Sequence, residues 1–469
     1  MNDLVSDFSS TKNTKAAQRT IFHVDVNSAY LSWSALKQLS LSPGSVDLRT
    51  VPSAVGGDIK TRHGIITAKS IPAKKYGIST GEPVVKALQK CPHLILVPPD
   101  FTTYREYSRR LMEILSEVTP ILQQVSIDEA WLDVTDLLPP GDRNAAEALA
   151  QHIRQEVSGR LGFTVNVGIS SNKLLAKMAS DFQKPDRTHT LYPDEISEKM
   201  WPLPIESLYG CGHSTARKLR LVGISTIGDA AAADIQMLQS LLGEKAGAYI
   251  LRSANGISTS PVTPQRDKAK SISNERTLSE DIGSDNFETD GLPVVSSLAR
   301  KVASRMQKAG VSGQTVTFQV KSTAFQRYSR QTSLEEPTDS ADEIEREALY
   351  LAKALLTDPD GLFAKGISVR LIGVGVSKLS EKKMQQMNLF DWAAQNLEEE
   401  EKEKEREKQQ EKQKERHVEN QKQKEKEKQQ QKLEKQSRLD FMLKKINQRY
   451  GEGTLGKGMA GHSSEADKN

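Results

Sequence analysis

The sequence predicts a multidomain α+β protein that ends in a charged C-terminal tail. Its 469 residues are enough for more than one hydrophobic core. Strand-like and helix-like apolar patterns follow each other in mixed order, which favours a sheet covered on one face by helices. After Leu379 the apolar pattern stops, and residues 398–436 contain thirteen Glu and thirteen Lys or Arg. We therefore expect globular domains to about residue 380 and a helical or disordered tail at residues 397–469.

Residues 20–190 are predicted to form the first domain, after a disordered N-terminus at residues 1–19. The stretch TIFHVDVNSAY has the pattern of a strand that runs into the helix LSWSALKQL. Helical patterns follow at residues 102–122 and in AAEALAQHIRQEVSGRLG, and strand patterns in QQVSIDEAWLDVT and FTVNVGIS. A further helix begins near SSNKLLAKMASDF.

Residues 191–257 predict short helices that are joined by glycine turns. Gly210 and Gly212 flank Cys211 in one such turn. A helix, a tight turn and a second helix can present backbone N–H groups and helix N-termini to a phosphate. The alternative is an ordinary helical hairpin, in which the glycines only allow close packing.

Residues 258–270 are rich in Ser, Thr, Pro and charge, and predict a linker to a second α+β domain at residues 271–380. That domain contains the hairpin pattern VTFQVKSTAFQRYSRQTSL, the strand GISVRLIGVGVSKL, and helices at residues 291–309 and 340–356. From Gly291 to Leu334 there is no Asp or Glu, and the basic residues are Arg300, Lys301, Arg305, Lys308, Lys321, Arg327 and Arg330. A run of one charge sign across a helix and a hairpin favours contact with phosphates, and a solvated basic face without a ligand is the alternative.

Composition excludes several classes of protein. The formal net charge of +4 is compatible with a nucleic-acid partner but does not establish one. The two cysteines, Cys91 and Cys211, are too few for a disulfide framework or a four-ligand zinc site. Residues 1–19 lack the apolar core of a signal peptide, and no stretch approaches the roughly 18 apolar residues of a membrane span. We expect a cytoplasmic protein without a membrane partner.

Asp128 and Glu129 lie side by side within an apolar, strand-like run. Burying two carboxylates without partners costs several kcal/mol, so a positive charge is expected beside them. Adjacent residues of a regular strand point to opposite faces, so the chain must turn at residues 127–129 if the pair shares one site. Asp25 ends another strand and offers a third carboxylate. Three such acids can hold Mg²⁺, and two Mg²⁺ ions can catalyse phosphoryl transfer; acids at a strand end without a metal are the alternative.

Several motifs resemble those of the Y-family translesion DNA polymerases, particularly the DNA polymerase IV branch, over most of residues 20–380. They are FHVDVNSAY, TAKSIPAKKYGISTGEPV, SIDEAWLDVT, VGISSNKLLAKMASDFQKP and the glycine-turn helices, followed by the basic α+β domain. The resemblance implies a right-hand polymerase that acts as a monomer on primer–template DNA and dNTPs, with low fidelity and low processivity. Its parts would be a palm at residues 20–190 with fingers inserted at about residues 35–95, a thumb at 191–257 and an additional little-finger domain at 271–380.

The resemblance assigns the acids to a centre with two Mg²⁺ ions. Asp25 and Asp128 match the ligands that bridge both ions, and Glu129 matches a ligand of the ion that activates the primer 3′-hydroxyl. The backbone carbonyl of Val26 would complete the ion on the nucleotide side. Tyr30 matches the family's steric gate, an aromatic ring that leaves no room for a 2′-hydroxyl. Without the motif, a core aromatic at the start of a helix would be the better interpretation of Tyr30.

Thr67, Lys74 and Lys184 match the family's contacts to the triphosphate. TAKSIPAKKYG departs from the usual order of Thr, Tyr and Arg, because the segment from Lys69 to Pro72 is one residue longer and has no tyrosine. Lys74 stands where the family has an arginine, which keeps the charge but loses the bidentate fork. The residue that replaces the tyrosine stays open, and a surface lysine at the end of a helix is the alternative for Lys184.

QMNLF resembles the short peptide by which bacterial polymerases bind the sliding clamp, and it predicts a clamp-binding segment at residues 381–396. The side chains of Met387, Leu389 and Phe390 would fill a groove of the partner, and Gln386 would hydrogen-bond at its edge. An incidental apolar patch is the alternative.

Three other functions are compatible with parts of the sequence. An inducible mutagenesis polymerase of the plasmid or phage type would share these motifs, and the atypical AKSIPAKK segment keeps this alternative open. A non-catalytic DNA-binding accessory would be expected to lack at least one metal ligand. Another two-metal palm enzyme, such as a nucleotide cyclase, would have no use for the thumb, the basic domain or the clamp peptide.

Overall fold

The computed structural model describes residues 19–57, 64–265 and 268–381, together with scattered positions between residues 436 and 448. The chain divides into two compact units, residues 1–382 and 383–469. Every element given below belongs to the first unit, and the described positions of the second are helical. Residues 1–18, the clamp-binding motif and most of the tail lie outside the described residues. No helix in the described ranges has both the length and the apolar character needed to cross a membrane.

Helices and strands follow each other in mixed order, as the sequence predicts. In chain order the strands are β1 (Ile21–Val26), β2 (Ser53–Gly56), β3 (Ile66–Lys69), β4 (Ile95–Val97), β5 (Leu122–Gln124), β6 (Glu129–Asp133), β7 (Val165–Ser170), β8 (Thr188–Thr190), β9 (Ser271–Ile282), β10 (Val311–Ser322), β11 (Arg327–Thr338) and β12 (Val369–Glu381). The α-helices are α1 (Ala29–Leu41), α2 (Ile71–Lys75), α3 (Val84–Lys90), α4 (Phe101–Val118), α5 (Arg143–Leu161), α6 (Lys173–Ser180), α7 (His213–Leu221), α8 (Ile227–Ala231), α9 (Ile235–Leu242), α10 (Glu244–Ala254), α11 (Leu292–Ala309) and α12 (Ala341–Leu356). Short 3-10 helices lie at Thr135–Leu137, Pro193–Glu195 and Ile205–Ser207, and π-helical turns at Ile196–Met200 and Phe287–Gly291.

The central sheet has the strand order β5-β6-β1-β7-β8. β1 pairs antiparallel with both β6 and β7, and β7 pairs parallel with β8. Helices α4 and α5 cover one face, where Phe22, Leu115 and Ile153 are buried in one core. Both helices begin at an aspartate, Asp100 or Asp142, whose carboxylate accepts the backbone N–H three residues later.

Helix α6 packs on the opposite face of the central sheet, so the expectation that helices cover only one face is wrong. Gly168 of β7 allows this contact, because a Cβ atom there would lie 2.0 Å from the carbonyl oxygen of Ala176. Apolar periodicity shows that such a helix is amphipathic but not which face of a sheet it covers. Alternate residues of β1 and β6 point to this face, and they include Asp25 and Glu129.

The run QQVSIDEAWLDVT forms a hairpin rather than one strand. β5 pairs antiparallel with β6, and the chain bends over residues 126–128 before the strand resumes at Glu129. The N–H of Val125 donates to the carbonyl oxygen of Glu129 and closes the hairpin. The turn that the sequence requires is therefore present, one residue earlier than expected.

A smaller sheet with the order β3-β2-β4 lies within residues 53–97. β2 pairs antiparallel with β3 and parallel with β4. Ala54, Ile66 and Val84 are buried together in its core, which α2 and α3 help to form. α2 begins at Ser70, whose hydroxyl accepts a backbone N–H of the first turn.

Helices α7 to α10 form the helical region that the sequence predicts at residues 191–257. Their core is continuous with α6, because Leu175 and Met178 are buried in the same cluster as Leu219 and Leu238. The described part of residues 258–270 has no helix or strand, as expected of a linker.

The C-terminal sheet has the antiparallel order β11-β10-β12-β9. α11 and α12 pack on one face, where Val302, Phe318, Ile344 and Val374 are buried. We call the opposite face the outer face; it carries the alternate side chains of the strands, including Thr317, Gln319, Lys321, Arg327 and Ser377. The sequence analysis did not identify β9, because this edge strand, SISNERTLSEDI, is mostly polar and charged.

Candidate active site

Asp25 and Glu129 lie directly opposite each other on β1 and β6. Together with His23, they offer ligand atoms that all lie within 4.8 Å of one another. The antiparallel register places these three side chains on the face of the sheet that α6 covers. The sequence analysis assigns Asp25 and Glu129 to the site but does not identify His23.

Two lysines neutralise part of this acidic cluster. Nζ of Lys177 lies 3.3 Å from Oδ2 of Asp25 and 3.0 Å from Oε2 of Glu129. Nζ of Lys184 lies 2.7 Å from Oδ1 of Asp25, and both lysines also pair with Asp181, at 3.3 and 2.9 Å. Burial acts to lower the pKa of each lysine, but the carboxylates outweigh it and raise both pKa values. Part of the positive charge that the sequence requires beside the acids thus comes from the chain itself.

Sequence reasoning missed Lys177, although it lies in the motif VGISSNKLLAKMASDFQKP. A signal was present in the i,i+4 spacing between Lys177 and Asp181, which favours an ion pair on one helix face. That spacing does not reveal which strands the helix covers. The contacts with Asp25 and Glu129 could therefore not be inferred from it.

His23 is fully buried next to Glu129. Its Nδ1 atom lies 2.8 Å from Oγ of Ser180, and its Nε2 atom lies 3.2 Å from Oε2 of Glu129. Burial lowers the pKa of His23, which favours the neutral ring. The contact with His23, and after it the charge of Lys177, lower the pKa of Glu129 to about 2 despite burial. Glu129 is therefore ionised at neutral pH.

Asp128 occupies the bend that precedes β6. Its carbonyl oxygen accepts the N–H of Val26 at 3.0 Å, so its backbone lies beside the end of β1. Its carboxylate accepts the Ser126 hydroxyl at 2.6 Å. Burial raises the pKa of Asp128, and the charges of Asp25 and Glu129 add to the increase. The three acids thus interact electrostatically, although Asp25 is about a hundred residues from Asp128 and Glu129 in the chain.

The side chains of this centre fit a hard divalent cation. Carboxylate oxygens are the ligands that Mg²⁺ prefers, and Asp25 and Glu129 supply them in the group whose ligand atoms lie within 4.8 Å of one another. The carboxylate of Asp128 is not part of that group. Asp181 adds a fourth carboxylate, while Lys177 and Lys184 add only two ammonium groups. Burial raises the pKa of Asp128 most, and the negative charges of Asp25 and Glu129 add to it; a bound cation would relieve this surplus of negative charge.

A cleft of about 390 Å³ lies next to the acids. It brings together six residues that the sequence analysis assigns to the site, namely Val26, Tyr30, Thr67, Lys74, Asp128 and Lys184. The other lining residues are Asn27, Ser28, Ala29, Ala68, Lys69, Ser70, Ile71, Thr80 and Pro185. These residues come from four separate segments of the chain, so the fold creates the cleft.

Tyr30 stands on the first turn of α1 with its ring stacked on that of Tyr104. The ring centroids are 4.6 Å apart and the planes differ by 20°. Phe101 and Trp33 pack around Tyr30 at centroid distances of 6.2 and 6.1 Å. Burial, and then the charge of Asp128, raise the pKa of Tyr30, so the phenol is neutral. Aromatic packing thus holds the ring in the lining of the cleft, as a steric gate requires.

Lys69, in the segment from Thr67 to Lys74, adds a cation to the cleft that the sequence analysis did not assign to the site. Nζ of Lys69 lies 3.2 Å from Oγ1 of Thr80, inside the cleft. Burial and the neighbouring charge of Lys74 lower the pKa of Lys69. The hydroxyl of Thr67 donates to the carbonyl oxygen of Val55 and is thereby engaged within the small sheet.

Gly210 and Gly212 have different surroundings, which favour different interpretations of the two glycines. Gly210 has φ +85°, and a Cβ atom there would lie 2.5 Å from the hydroxyl oxygen of Tyr249. This favours the packing interpretation for Gly210. Gly212 is exposed at the N-cap of α7 with open space around it, which suits the approach of a phosphate to the helix N-terminus.

The basic residues of α11 have unequal surroundings. Arg300 pairs with Asp342 at 2.9 Å and with Glu345 at 2.6 Å, so its charge is largely used within the domain. Lys301 and Lys308 are exposed and form no ion pair with any described residue. The charge run of the sequence did not reveal this difference, because the acids that neutralise Arg300 come from α12.

The basic residues of the hairpin lie at the edge of the C-terminal sheet. Arg327 pairs weakly with Glu275, at 3.4 Å, across the outer face. Lys321 is its cross-strand partner in the register of β10 and β11. Arg330 is exposed and pairs with no acid of the described ranges. Positive charge is therefore available at this edge.

Comparisons with known proteins agree with the fold. Residues 24–181 match the model of the impB/mucB/samB family, and residues 269–389 match the model of its C-terminal domain. DNA polymerase IV of Clostridium acetobutylicum is 40% identical over 376 residues, which span 80% of this chain and 90% of that relative. DNA polymerase IV 1 of Bacillus subtilis (strain 168) is 37% identical over 378 residues, which span 80% of this chain and 86% of that relative.

A solved structure of a Y-family DNA polymerase chimera has the same fold. The superposition has a TM-score of 0.66 at 24% sequence identity and covers 76% of this chain and 98% of that chain. One assignment follows from the similarity over most of the chain, and it agrees with the acids on adjacent strands and the cleft beside them. The chain belongs to the impB/mucB/samB family and, within it, to the DNA polymerase IV branch of the Y-family translesion DNA polymerases.

Proposed function

We propose that this polymerase extends a primer past damaged template bases at a centre built from Asp25, Asp128 and Glu129. The observation that supports this most directly is the cleft, in which Tyr30, Lys184 and the Asp128 bend line one space. An aromatic ring, ammonium groups and an acid that can hold a metal are what a deoxynucleoside triphosphate requires.

The three acids and the backbone carbonyl of Val26 would hold two Mg²⁺ ions. When bound, these ions would activate the primer 3′-hydroxyl and stabilise the charge on the departing pyrophosphate. Glu129, with a pKa of about 2, can act as a ligand without first losing a proton. Lys177 holds Asp25 and Glu129 together before any cation arrives, which limits the reorganisation that binding requires.

The cleft would hold the incoming nucleotide through three lysines and one tyrosine. Lys69, Lys74 and Lys184 line the space where an anionic triphosphate would lie. The ammonium group of Lys184 would exchange contacts with Asp25 and Asp181 for the phosphates. Thr67 would contribute from the adjoining strand. The stacked ring of Tyr30 would lie under the sugar and exclude a 2′-hydroxyl.

Primer–template DNA would be held by the helix N-terminus at Gly212 and by the outer face of the C-terminal sheet. This face presents small polar side chains with Lys321 and Arg327 near one edge, which suits contact with a phosphate backbone. Arg330 is exposed at the same edge but is the register partner of the buried Phe318, so it would add charge from the other face. Lys301 would add charge from α11. In this arrangement residues 20–190 are the palm with its fingers, residues 191–257 the thumb and residues 271–380 the little finger.

A sliding clamp would supply the processivity that such an open polymerase lacks. Its ligand would be the peptide Gln386, Met387, Leu389 and Phe390, which lies outside the described residues. The polymerase would bind the clamp as a monomer.

Primer extension with Mg²⁺ on damaged and undamaged templates tests this function. We expect the wild-type protein to extend both primers and Asp128→Ala to extend neither, because it lacks one proposed ligand. Asp136→Ala, at an exposed acid near the end of β6, is the matched control and should retain activity. Extension by Asp128→Ala at the wild-type rate would contradict the proposal.

A further inference from the structure

Phe325 is an exposed aromatic residue at the tip of the hairpin that joins β10 to β11. Its side chain is 64% exposed and its φ is +64°, in the left-handed region. The N–H of Phe325 donates to the carbonyl oxygen of Ser322, and the N–H of Ser322 donates to the carbonyl oxygen of Gln326. The hydroxyl of Ser322 accepts the N–H of Gln326. Residues other than Gly, Asn and Asp rarely adopt this backbone conformation. The tip thus holds a large apolar ring in solvent at a position where glycine would be unstrained.

Two cations flank the ring of Phe325. Nζ of Lys321 lies 5.8 Å from the ring centroid, and the guanidinium carbon of Arg370 lies 5.2 Å from it. Neither cation forms an ion pair with an acid in the described part of the chain. Arg370 lies where the register between β10 and β12 shifts. The N–H of Thr323 donates to the carbonyl oxygen of Ser368, which ties the hairpin tip to the chain just before β12.

These features favour an external ligand over an internal role for the ring. A ring that only stabilised its own hairpin would be covered by neighbouring side chains, whereas most of Phe325 remains accessible. The uncompensated charges of Lys321 and Arg370 attract an anion, and the ring offers a flat apolar surface. A nucleobase with its phosphates matches both, because single-stranded nucleic acid binds by stacking on aromatic rings beside cations.

We propose that Phe325, Lys321 and Arg370 form a stacking site for an unpaired nucleobase of single-stranded DNA. Duplex DNA presents its bases only as groove edges, so a stacking platform selects strands whose base faces are exposed. A polymerase substrate contains such a strand wherever the template extends beyond the primer. The proposal rests on the proposed contact between the C-terminal domain and DNA, and adds the kind of DNA that the hairpin tip binds.

Fluorescence anisotropy with labelled oligonucleotides tests the site in the full-length protein. Phe325→Ala should bind a single-stranded oligonucleotide about five- to tenfold more weakly, because stacking on one ring carries a contribution of this order. Its affinity for a blunt duplex of the same length should stay unchanged. Phe325→Trp should keep the wild-type affinity, and its added tryptophan emission should be quenched by the single strand.

Two controls separate stacking from other effects. An oligonucleotide of abasic sites keeps the phosphates but has no bases, so Phe325→Ala should not weaken its binding. Phe325→Gly should lose single-strand affinity as Phe325→Ala does while its melting temperature stays equal or rises, because glycine relieves the positive φ. Tyr350→Ala, at another aromatic of the domain that is 66% exposed, should bind like the wild type.

The proposal would be overturned if Phe325→Ala bound the single strand as tightly as the wild type does. It would also be overturned if Phe325→Ala lost as much affinity for the abasic strand as for the normal strand, because that result would indicate a phosphate contact alone. The primer-extension assay gives an independent result. Wild-type extension together with unchanged binding by Phe325→Ala rejects only the stacking site. Failure of wild-type extension rejects the proposed polymerase centre, whatever the binding data show.

Discussion

The ammonium group of Lys177 lies 3.0 Å from Oε2 of Glu129, so a helix on one face of the central sheet is joined by an ion pair to the edge of the acidic centre. The same ammonium group reaches Oδ2 of Asp25 at 3.3 Å. The side chain of Lys177 is only 12% exposed, so solvent screens these contacts weakly. Lys177 therefore acts as a resident counter-ion of the proposed metal ligands.

Lys177→Met should lower the free energy of unfolding in the presence of a chelator by about 2 kcal/mol, because it leaves Asp25 and Glu129 without their shared cation. Mg²⁺ should restore part of this loss by binding to the folded protein. Denaturant unfolding with EDTA and with Mg²⁺ measures both effects. Lys199→Met is the matched control, since Lys199 also pairs with an acid four residues away, Glu195, but lies far more exposed. A stability of Lys177→Met equal to wild type in EDTA would contradict the assigned role.

Tyr30→Ala should reduce the preference for deoxynucleotides over ribonucleotides by at least about tenfold, which corresponds to ~1.4 kcal/mol of discrimination. The ring that Tyr104 supports would no longer fill the space beside the sugar. Single-nucleotide insertion with dCTP and CTP measures the ratio of kcat/KM values. Tyr30→Phe keeps the ring and should keep the preference. Unchanged discrimination by Tyr30→Ala would remove the steric-gate assignment.

Asp128→Asn should abolish extension but raise the stability of the metal-free protein at neutral pH. Burial, Asp25 and Glu129 raise the pKa of Asp128 above its ordinary value of 3.8, so its charge disfavours the folded state. Below pH 3.8 the side chain of Asp128 is protonated in both the folded and the unfolded protein, so Asp128→Asn should not change the stability at such a low pH. The gain should appear as the pH rises and be complete above the folded-state pKa. Thermal unfolding in EDTA across this pH range is the measurement, and a destabilised Asp128→Asn at neutral pH would be the opposite result.

Replacing both Leu389 and Phe390 by Ala should abolish stimulation of synthesis by a bacterial sliding clamp, because both proposed apolar anchors are lost. Synthesis without the clamp should stay at the wild-type level, since these residues lie outside the proposed centre. Primer extension with and without the clamp distinguishes the two effects. Leu397→Ala, an apolar substitution outside the motif, should still be stimulated. Persistent stimulation of the double variant would reject this peptide as the ligand.

The sequence predicted the mixed α+β order, the domain with the basic hairpin and six of the residues that line the cleft. These features depend on patterns between near neighbours in the chain. Apolar periodicity locates α4, α5 and α11, and motif spacing locates Asp25, Tyr30 and Lys184. The polar edge strand β9 was missed because its pattern is not that of a half-buried strand.

The tertiary structure decided what surrounds those residues. Only the antiparallel register of β1 and β6 places Asp25 opposite Glu129, and only the packing of α6 across Gly168 brings Lys177 to both. The same packing buries His23 against Glu129 and helps to set its ionisation. Sequence by itself determined which chemical groups the chain carries and the local elements that present them. Their partners, pKa values and shared cleft depend on distances between segments far apart in the chain, which only the folded state defines.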